Sequence, residues 1–501
     1  MWEHLWSGFG IASAPINLAF GFIGVVLGTA VGVLPGLGPA AAVSLLLPVT
    51  FGLEPTTAFI LFGGIYYGSM YGGSTTSILI NTPGDASAAV TTLDGFQMAR
   101  RGRAGAALAT AAIGSFIAGT FATAMLMWLA PFFVELALRF GPAEYFTLMV
   151  LALVGVGSVS GESPPKAALA VFLGLGLALI GIDLQTGTSR LTFGVPELAG
   201  GINTVLGAIG LFAVGEVLWA SGQPRLPDSD VLTPTGGLMM TRSEWQRSWP
   251  AWIRGSLIGF GIGVLPGAGG TLATFASYAS ERAIAKQPET FGQGAIEGVA
   301  GPEAANNASA GGSLVPLLGL GIPGSGTTAV MLAAFQLYGL APGPLLFDEQ
   351  PDLVWGLIAS LYIGNVLLLV LNLPLVGLWV KLLMVPKPLL LAAVAMFSTL
   401  GAYSLNGSIS DVLIAYGLGL LAVVLRRHAV PLAPVLLGLV LGPLLEQELR
   451  RALVISSGDW TVFFRRPLSA SFLVAAAIAA ATPMLLRIVT GRSVPRTDTN
   501  P

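Results

Sequence analysis

Two carboxylates and a set of hydroxyls and amides gather around two Pro-Gly pairs in this 501-residue chain. Asp85 follows the string "NTPG" (81 to 84), and Glu303 opens "EAANNASAGGS" (303 to 313) ahead of "GIPGSGTT" (321 to 328). Ser74, Thr75, Thr76, Asn81 and Thr82 supply donors and acceptors in the first stretch; Asn306, Asn307, Ser309 and Ser313 do so in the second. Stretches 31 to 94 and 303 to 345 contain no Lys or Arg. An anion held there has to be met by backbone amides, hydroxyls and co-bound cations. Residues just after Pro83-Gly84 and Pro323-Gly324, namely Asp85 to Ser87 and Ser325, Thr327 and Thr328, stand where a helix N-terminus presents free N–H groups and partial positive charge. Asp85 and Glu303 are the carboxylates best placed to bind a coupling Na⁺ or H⁺, because ionisable groups within a membrane are expensive and usually functional. Each has a plainer reading: Asp85 as a helix N-cap, matched by Ser325 as an equally good cap, and Glu303 as part of a polar loop.

These residues need elements that hold them, and Pro beside Gly inside an apolar run breaks a helix by removing a donor and freeing the backbone. In hydrocarbon such a break survives only when packed in protein or lining a polar cavity. A second kind of break, "GVLPG", occurs at 32 to 36 and again at 263 to 267. Pro35 and Pro266 are 266 − 35 = 231 residues apart, and Gly24, Gly28, Gly32 and Gly36 match Gly255, Gly259, Gly263 and Gly267 at the same offset. The four-residue period makes a smooth packing stripe, while Gly36, Gly38, Gly267 and Gly269 at the break itself join the candidate substrate-binding set. The arms 18 to 34 and 37 to 50 suit either a re-entrant hairpin or one broken span. "GGSTTSILINTPGDASAAV" (72 to 90) faces "GGSLVPLLGLGIPGSGTTAV" (311 to 330), with Pro83 and Pro323 at an offset of 323 − 83 = 240.

The chain is therefore an internal repeat: 1 to 220 carries motifs 31–50 and 72–90, 221 to 254 is a polar linker, 255 to 467 carries motifs 262–280 and 303–330, and 468 to 501 adds a last apolar segment and a polar tail. Composition sets the solvent, with 54% hydrophobic and 10% charged residues against about 25% charged in soluble domains. Apolar runs such as 105–133, 144–160, 198–219 and 353–380 are long enough to approach or cross a bilayer core of about 30 Å. The expected fold is an all-α polytopic membrane protein with roughly ten to twelve hydrophobic segments.

Lys and Arg mark cytoplasmic loops. Loop 51–57 has none whereas 281–290 has Arg282 and Lys286; Arg100, Arg101 and Arg103 follow the second motif of one half, and Asp348, Glu349 and Asp352 that of the other. Each loop and its copy thus fall on opposite sides, the pattern of inverted-topology repeats. Four spans from Arg100 to Arg225, Arg242 and Arg247 return the linker to the cytoplasmic side. The side of the C-terminus stays open, since Arg450, Arg451, Arg465 and Arg466 would lie outside if 430–445 crosses fully. Residues 1 to 15 carry no Lys or Arg, so the basic region of a cleaved signal is missing and the first hydrophobic stretch is expected to stay in the fold.

No cysteine, no phosphate-binding loop, no His-Glu-x-x-His helix and no Gly-x-Ser-x-Gly elbow occurs, which disfavours an ATP-driven pump or a hydrolase. Gly319-x-Gly321-x-x-Gly324 lacks the βαβ context of a dinucleotide site. His4 and His428 read as solvated interface residues, and no basic tract points to nucleic acid. The expectation is a transporter and not an enzyme, with no cofactor beyond a co-transported Na⁺. A passive anion channel on the same broken helices is the alternative.

The stretch from "GVLPGLGPAAAVSLLLP" to "DGFQMARRGRAGAAL" resembles the first block of the large membrane subunit of tripartite tricarboxylate transporters, and "GVLPGAGGTLATFASYASERA" through "GSGTTAVMLAAFQLYGLAPGPLLF" is similar to the second. The resemblance implies a bacterial inner-membrane permease working with a small membrane subunit and a periplasmic solute-binding protein, and ion-driven uptake of citrate or another carboxylate. Gly36, Gly38, Pro83, Gly84, Pro323 and Gly324 match its motifs.

Overall fold

The structure, a computed structural model, describes residues 2–34, 37–159, 163–183, 185–223, 239–267, 269–382 and 385–490. Pro35, Gly36 and most of the linker, with Arg225, lie outside the described residues, as does the polar tail beyond Thr490. The helices are α1 (Trp2–Ala12), α2 (Pro15–Val33), α3 (Pro39–Leu46), α4 (Pro55–Ile80), α5 (Ala89–Met98), α6 (Ala104–Ala137), α7 (Pro142–Val159), α8 (Pro164–Ala178), α9 (Thr204–Ala208), α10 (Gly215–Ser221) and α11 (Arg242–Gly263). They continue with α12 (Gly269–Ile284), α13 (Glu297–Leu320), α14 (Gly326–Leu337), α15 (Leu346–Glu349), α16 (Pro351–Asn372), α17 (Val376–Leu382), α18 (Lys387–Ser404), α19 (Ile409–Arg427), α20 (Leu432–Ile455), α21 (Val462–Arg465) and α22 (Pro467–Thr490). A two-residue antiparallel pair, Gly181–Ile182 with Ser189–Arg190, is the β-structure among the described residues.

The chain is an all-α multi-pass membrane protein. Among the described residues six helices are long and apolar enough to cross a membrane, and six shorter apolar helices accompany them. The run 353–380 is not one helix; it stops at Asn372 and resumes at Val376. Helices α4 and α13 are absent from both apolar groups although every residue from Thr57 to Leu79 and from Gly298 to Leu320 is buried. They face protein on all sides, so they can carry Gly, Ser, Thr and Asn where a lipid-facing helix carries Leu and Val.

Two compact units form: one from Met1–Ala137 with Val205–Val423, the other from Leu138–Thr204 with the chain after Val424. The second unit holds the extra spans α7, α8, α20 and α22, where Gly174 of α8 lies against the backbone of Val435 and Gly438 in α20, and Arg466 pairs with Glu144 at 2.8 Å. The first unit holds both copies of the repeat.

Glycine decides the packing of each copy. On α2, side chains at Gly24, Gly28 and Gly32 would strike the backbone of Leu61, Ile65 and Ser69 on α4; on α11, side chains at Gly255, Gly259 and Gly263 would strike Gly301, Ala305 and Ser309 on α13. Both series rise together, so α2 runs parallel to α4 and α11 parallel to α13. The chain between them has to return. Gly270 faces Asn306 and Ser309 while Gly301 faces Ser277 and Glu281, so α12 runs antiparallel to α13 and the first motif of that copy is a hairpin ending where it began. Parallel α2 and α4 require the same return from α3 and 47–54.

The equivalence between copies is 301 − 61 = 240, 305 − 65 = 240 and 309 − 69 = 240. This corrects the alignment of the Gly-Gly-Ser strings by one residue: Gly72 packs on Thr29 and Val33 as Gly312 packs on Phe260 and Gly263, and Gly73 corresponds to Ser313. Helices α4 and α13 run antiparallel, because Tyr66 meets Ser313 whereas Thr91, beside the last turns of α4, meets Glu303.

Candidate functional site

Helix α4 stops at Asn81, whose φ of 55° is left-handed, and α13 stops at the equivalent Gly321 with φ 70°. After each stop the chain doubles back over Pro-Gly. Gly84 lands on Gly73 and on the carbonyl of Gly32, and Gly324 lands on Ser313 and on that of Gly263. In the second copy the two breaks are joined directly, Gly267 N–H donating to the Gly324 carbonyl at 3.0 Å. Gly267 (φ 79°) and Gly269 (φ 64°) both need the left-handed region, which is costly for any residue with a Cβ.

A new helix then starts beside the old one. Asp85 caps its start, accepting from Ala88 N–H at 3.1 Å and from the Ser87 hydroxyl at 2.8 Å. Ser325 caps α14 with Thr328 in a reciprocal pair. The N-cap role read from the sequence is thus present at both positions. Gly38 approaches the Asp85 side chain. Glu303 is not in a loop: it is 1% exposed in the body of α13.

Each restarted helix crosses to the opposite copy. Thr91 of α5 donates to Glu303 Oε1. Asp94 Oδ1 accepts from the N–H groups of Gly292, Gly294 and Ala295 at 2.7 to 2.9 Å, and its Oδ2 accepts from the Tyr278 hydroxyl at 2.9 Å. At the end of α14, Tyr338 donates to the Thr50 carbonyl at 2.6 Å. Each restarted helix therefore ends on residues of the other copy.

The predicted hydroxyls divide. Ser74 and Thr76 bond back to Tyr71 and Gly73 of their own helix, and Thr82 to Ile80; Thr75 and Thr327 are buried, and Asn81 is exposed. Ser313 serves Tyr66, and Pro83, Gly84, Pro323 and Gly324 shape the backbone. Asn307 donates to the Ser115 hydroxyl at 2.7 Å. Against this background a few buried atoms stand out for lacking protein partners: both amide atoms of Asn306, Glu303 Oε2 and Asn307 Oδ1. Residues 303, 306 and 307 share one helix face. A Cβ at Gly270 would lie 3.2 Å from Asn306 Oδ1 and from Ser309 Oγ, and 3.1 Å from the Ser87 Cβ, so Asn306, Gly270 and Ser87 converge from α13, α12 and the first-copy break. Sequence reading missed Tyr66, Thr91, Asp94 and Gly270. Gly270 lies within the 262–280 motif but was not singled out from it; Tyr66, Thr91 and Asp94 lie outside the motifs, and their meaning comes from the opposite copy.

No group of three or more His, Cys, Asp and Glu suited to a metal occurs among the described residues. What the fold defines is a multi-pass membrane protein with interrupted helices, in which stretches 31–94 and 303–345 carry no Lys or Arg. Residues 18–437 match the tripartite tricarboxylate transporter TctA family, and the chain belongs to that family. It is 50% identical over 471 residues, 94% of both chains, to an uncharacterised 52.8 kDa protein in the TAR-I ttuC' 3' region of Agrobacterium vitis. It is 54% identical over 212 residues, 42% of this chain and 88% of the relative, to an uncharacterised protein in the TAR-II ttuC' 3' region of the same organism. No solved structure matches the chain.

Proposed function

We propose that this chain is the large permease subunit of a binding-protein-dependent secondary transporter. It imports citrate or another di- or tricarboxylate across the bacterial inner membrane with a Na⁺ or H⁺ gradient, together with a small membrane subunit and a periplasmic solute-binding protein. The observation that carries the reading is the set of unpartnered atoms on Asn306, Asn307 and Glu303, buried where the two copies interlock. An unmade buried hydrogen bond costs about 1–3 kcal/mol, so four such atoms on one face are best explained by ligands that come and go. The solute takes the amide and the backbone at the breaks; the coupling ion takes Glu303, whose Oε1 is already held by Thr91.

Inversion of the copies across the bilayer supports alternating access. Arg103 pairs with Glu244, Arg247 with Glu297 at 2.5 Å and Arg254 with Glu281 at 2.6 Å, so the basic ends of α5, α11 and α12 share one end of this unit, which we assign to the cytoplasm. The test is uptake of radiolabelled di- and tricarboxylates in vesicles holding the assembled complex, with the binding protein present or omitted and Na⁺ and pH gradients imposed separately. Accumulation requiring the binding protein and one gradient supports the reading. Equilibration without accumulation would make the protein a channel.

A further inference from the structure

The offset of 240 pairs Tyr66 with Asn306, Gly73 with Ser313 and Asp85 with Ser325 (306 − 66, 313 − 73 and 325 − 85). At the second-copy break the Tyr66 hydroxyl lies 3.0 Å from Ser313 Oγ and 3.2 Å from Ser325 Oγ. Its ring is buried and its hydroxyl reaches the cap of α14. At the first-copy break the corresponding three positions read Asn306, Gly73 and Asp85. The side chain is shorter, the partner hydroxyl is missing, and the amide of Asn306, 0% exposed, has neither its donor nor its acceptor engaged by protein. Both breaks follow a left-handed helix stop, at Asn81 and at Gly321, and restart under a side-chain cap, at Asp85 and at Ser325, so the contrast at these three positions is one of side chains.

We infer that solute occupies the first-copy break only, against Asn306, Gly270 and Ser87, and that Tyr66 fills the second-copy break as a permanent internal stand-in. This rests on the transport reading above for the identity of the solute, and on the structure for the asymmetry. The solute presents an acceptor oxygen to Asn306 Nδ2 and a donor to Oδ1. The stretches forming the break hold no Lys or Arg, so hydrogen bonds and backbone amides, not cationic side chains from these stretches, hold the solute.

Ser87 and Thr327 are equivalent (327 − 87 = 240) and the chain has no cysteine, so single cysteines report each break separately. Ser87→Cys and Thr327→Cys are to be labelled, in the purified full chain with its small partner, with the anionic reagent 2-sulfonatoethyl methanethiosulfonate. Ser87→Cys is expected to react at least tenfold faster than Thr327→Cys. Adding Tyr66→Ala to Thr327→Cys should bring its rate within a few-fold of Ser87→Cys, while Tyr66→Phe, which keeps the ring, should not. Equal rates in the two single variants, or an inert Ser87→Cys in monodisperse protein, overturn the inference without recourse to any Tyr66 variant. Adding citrate, malate and succinate as protectants separates the two claims: rapid Ser87→Cys labelling that none of them slows keeps the asymmetry and removes the carboxylate assignment.

Discussion

The two breaks follow one plan and differ in how their polar side chains are matched. Both stop a buried helix at a left-handed residue, fold back over Pro-Gly and restart under a side-chain cap. In the second every polar group of the Tyr66, Ser313, Ser325 and Thr328 cluster answers another. In the first, Asn306 answers nothing. Duplication supplies a scaffold twice, and a handful of side chains then decide which copy remains available to a ligand.

The shared part breaks first. Gly28→Val and Gly259→Val each drive a branched side chain into the backbone of the partner helix, a clash beyond the about 1–3 kcal/mol of ordinary overpacking. Both should abolish monodisperse protein on gel filtration, and collapse of only one would show that the copies are not packed alike. Glu303→Gln removes a carboxylate from one copy where the other has Gly63. Gradient-driven accumulation should fall by at least about tenfold, as loss of one charge-assisted bond of about 1.5–3 kcal/mol implies, with solute exchange and abundance retained. Asn306→Ala should weaken solute binding about tenfold by equilibrium dialysis on the same grounds. Tyr66→Phe is expected to change it less than about twofold, and the reverse order would exchange the roles of the breaks.

Asp85→Ser installs the cap of the second copy in the first. Since Ser and Asp cap about equally well, abundance should hold, and any fall in uptake isolates what the carboxylate adds. The smallest effect lies in the other unit, where Arg450 hydrogen-bonds Asp183 and holds its carboxyl well below the usual range. A depressed folded value stabilises the 181–190 hairpin above the ordinary Asp range, and the contribution disappears as pH falls toward the folded value. Proteolysis near 185–190 should quicken on acidification in the wild type, and Asp183→Asn should be equally sensitive at neutral and acidic pH.

The prolines and glycines made the repeat legible, because a break inside lipid tolerates few residue types and they recur in register. The charges make contacts of their own: Arg103 pairs with Glu244 of α11. That the chain between α2 and α4 turns back was not decidable from arm lengths; it follows from α2 and α4 being parallel, which only contacts reveal. The Gly-Gly-Ser strings misled by one residue because Gly73 stands where Ser313 does, a register that only the packing of Gly72 on α2 and of Gly312 on α11 reveals. Asp94 and Thr91 look like ordinary helix residues until α5 lies against the far copy. Buried polar atoms without partners leave no trace in a one-dimensional string.

The crossed tethers have a consequence for synthesis. Asp94 waits for amides 198 to 201 positions later in the chain, and Thr91 waits 212 for Glu303. At about 5–20 residues per second the ribosome takes roughly ten seconds or more to deliver them. Through that interval α5 is in place with its carboxylate unanswered, so the first copy is made early but finished late, and a chain truncated at the linker would leave an acidic helix with no mate.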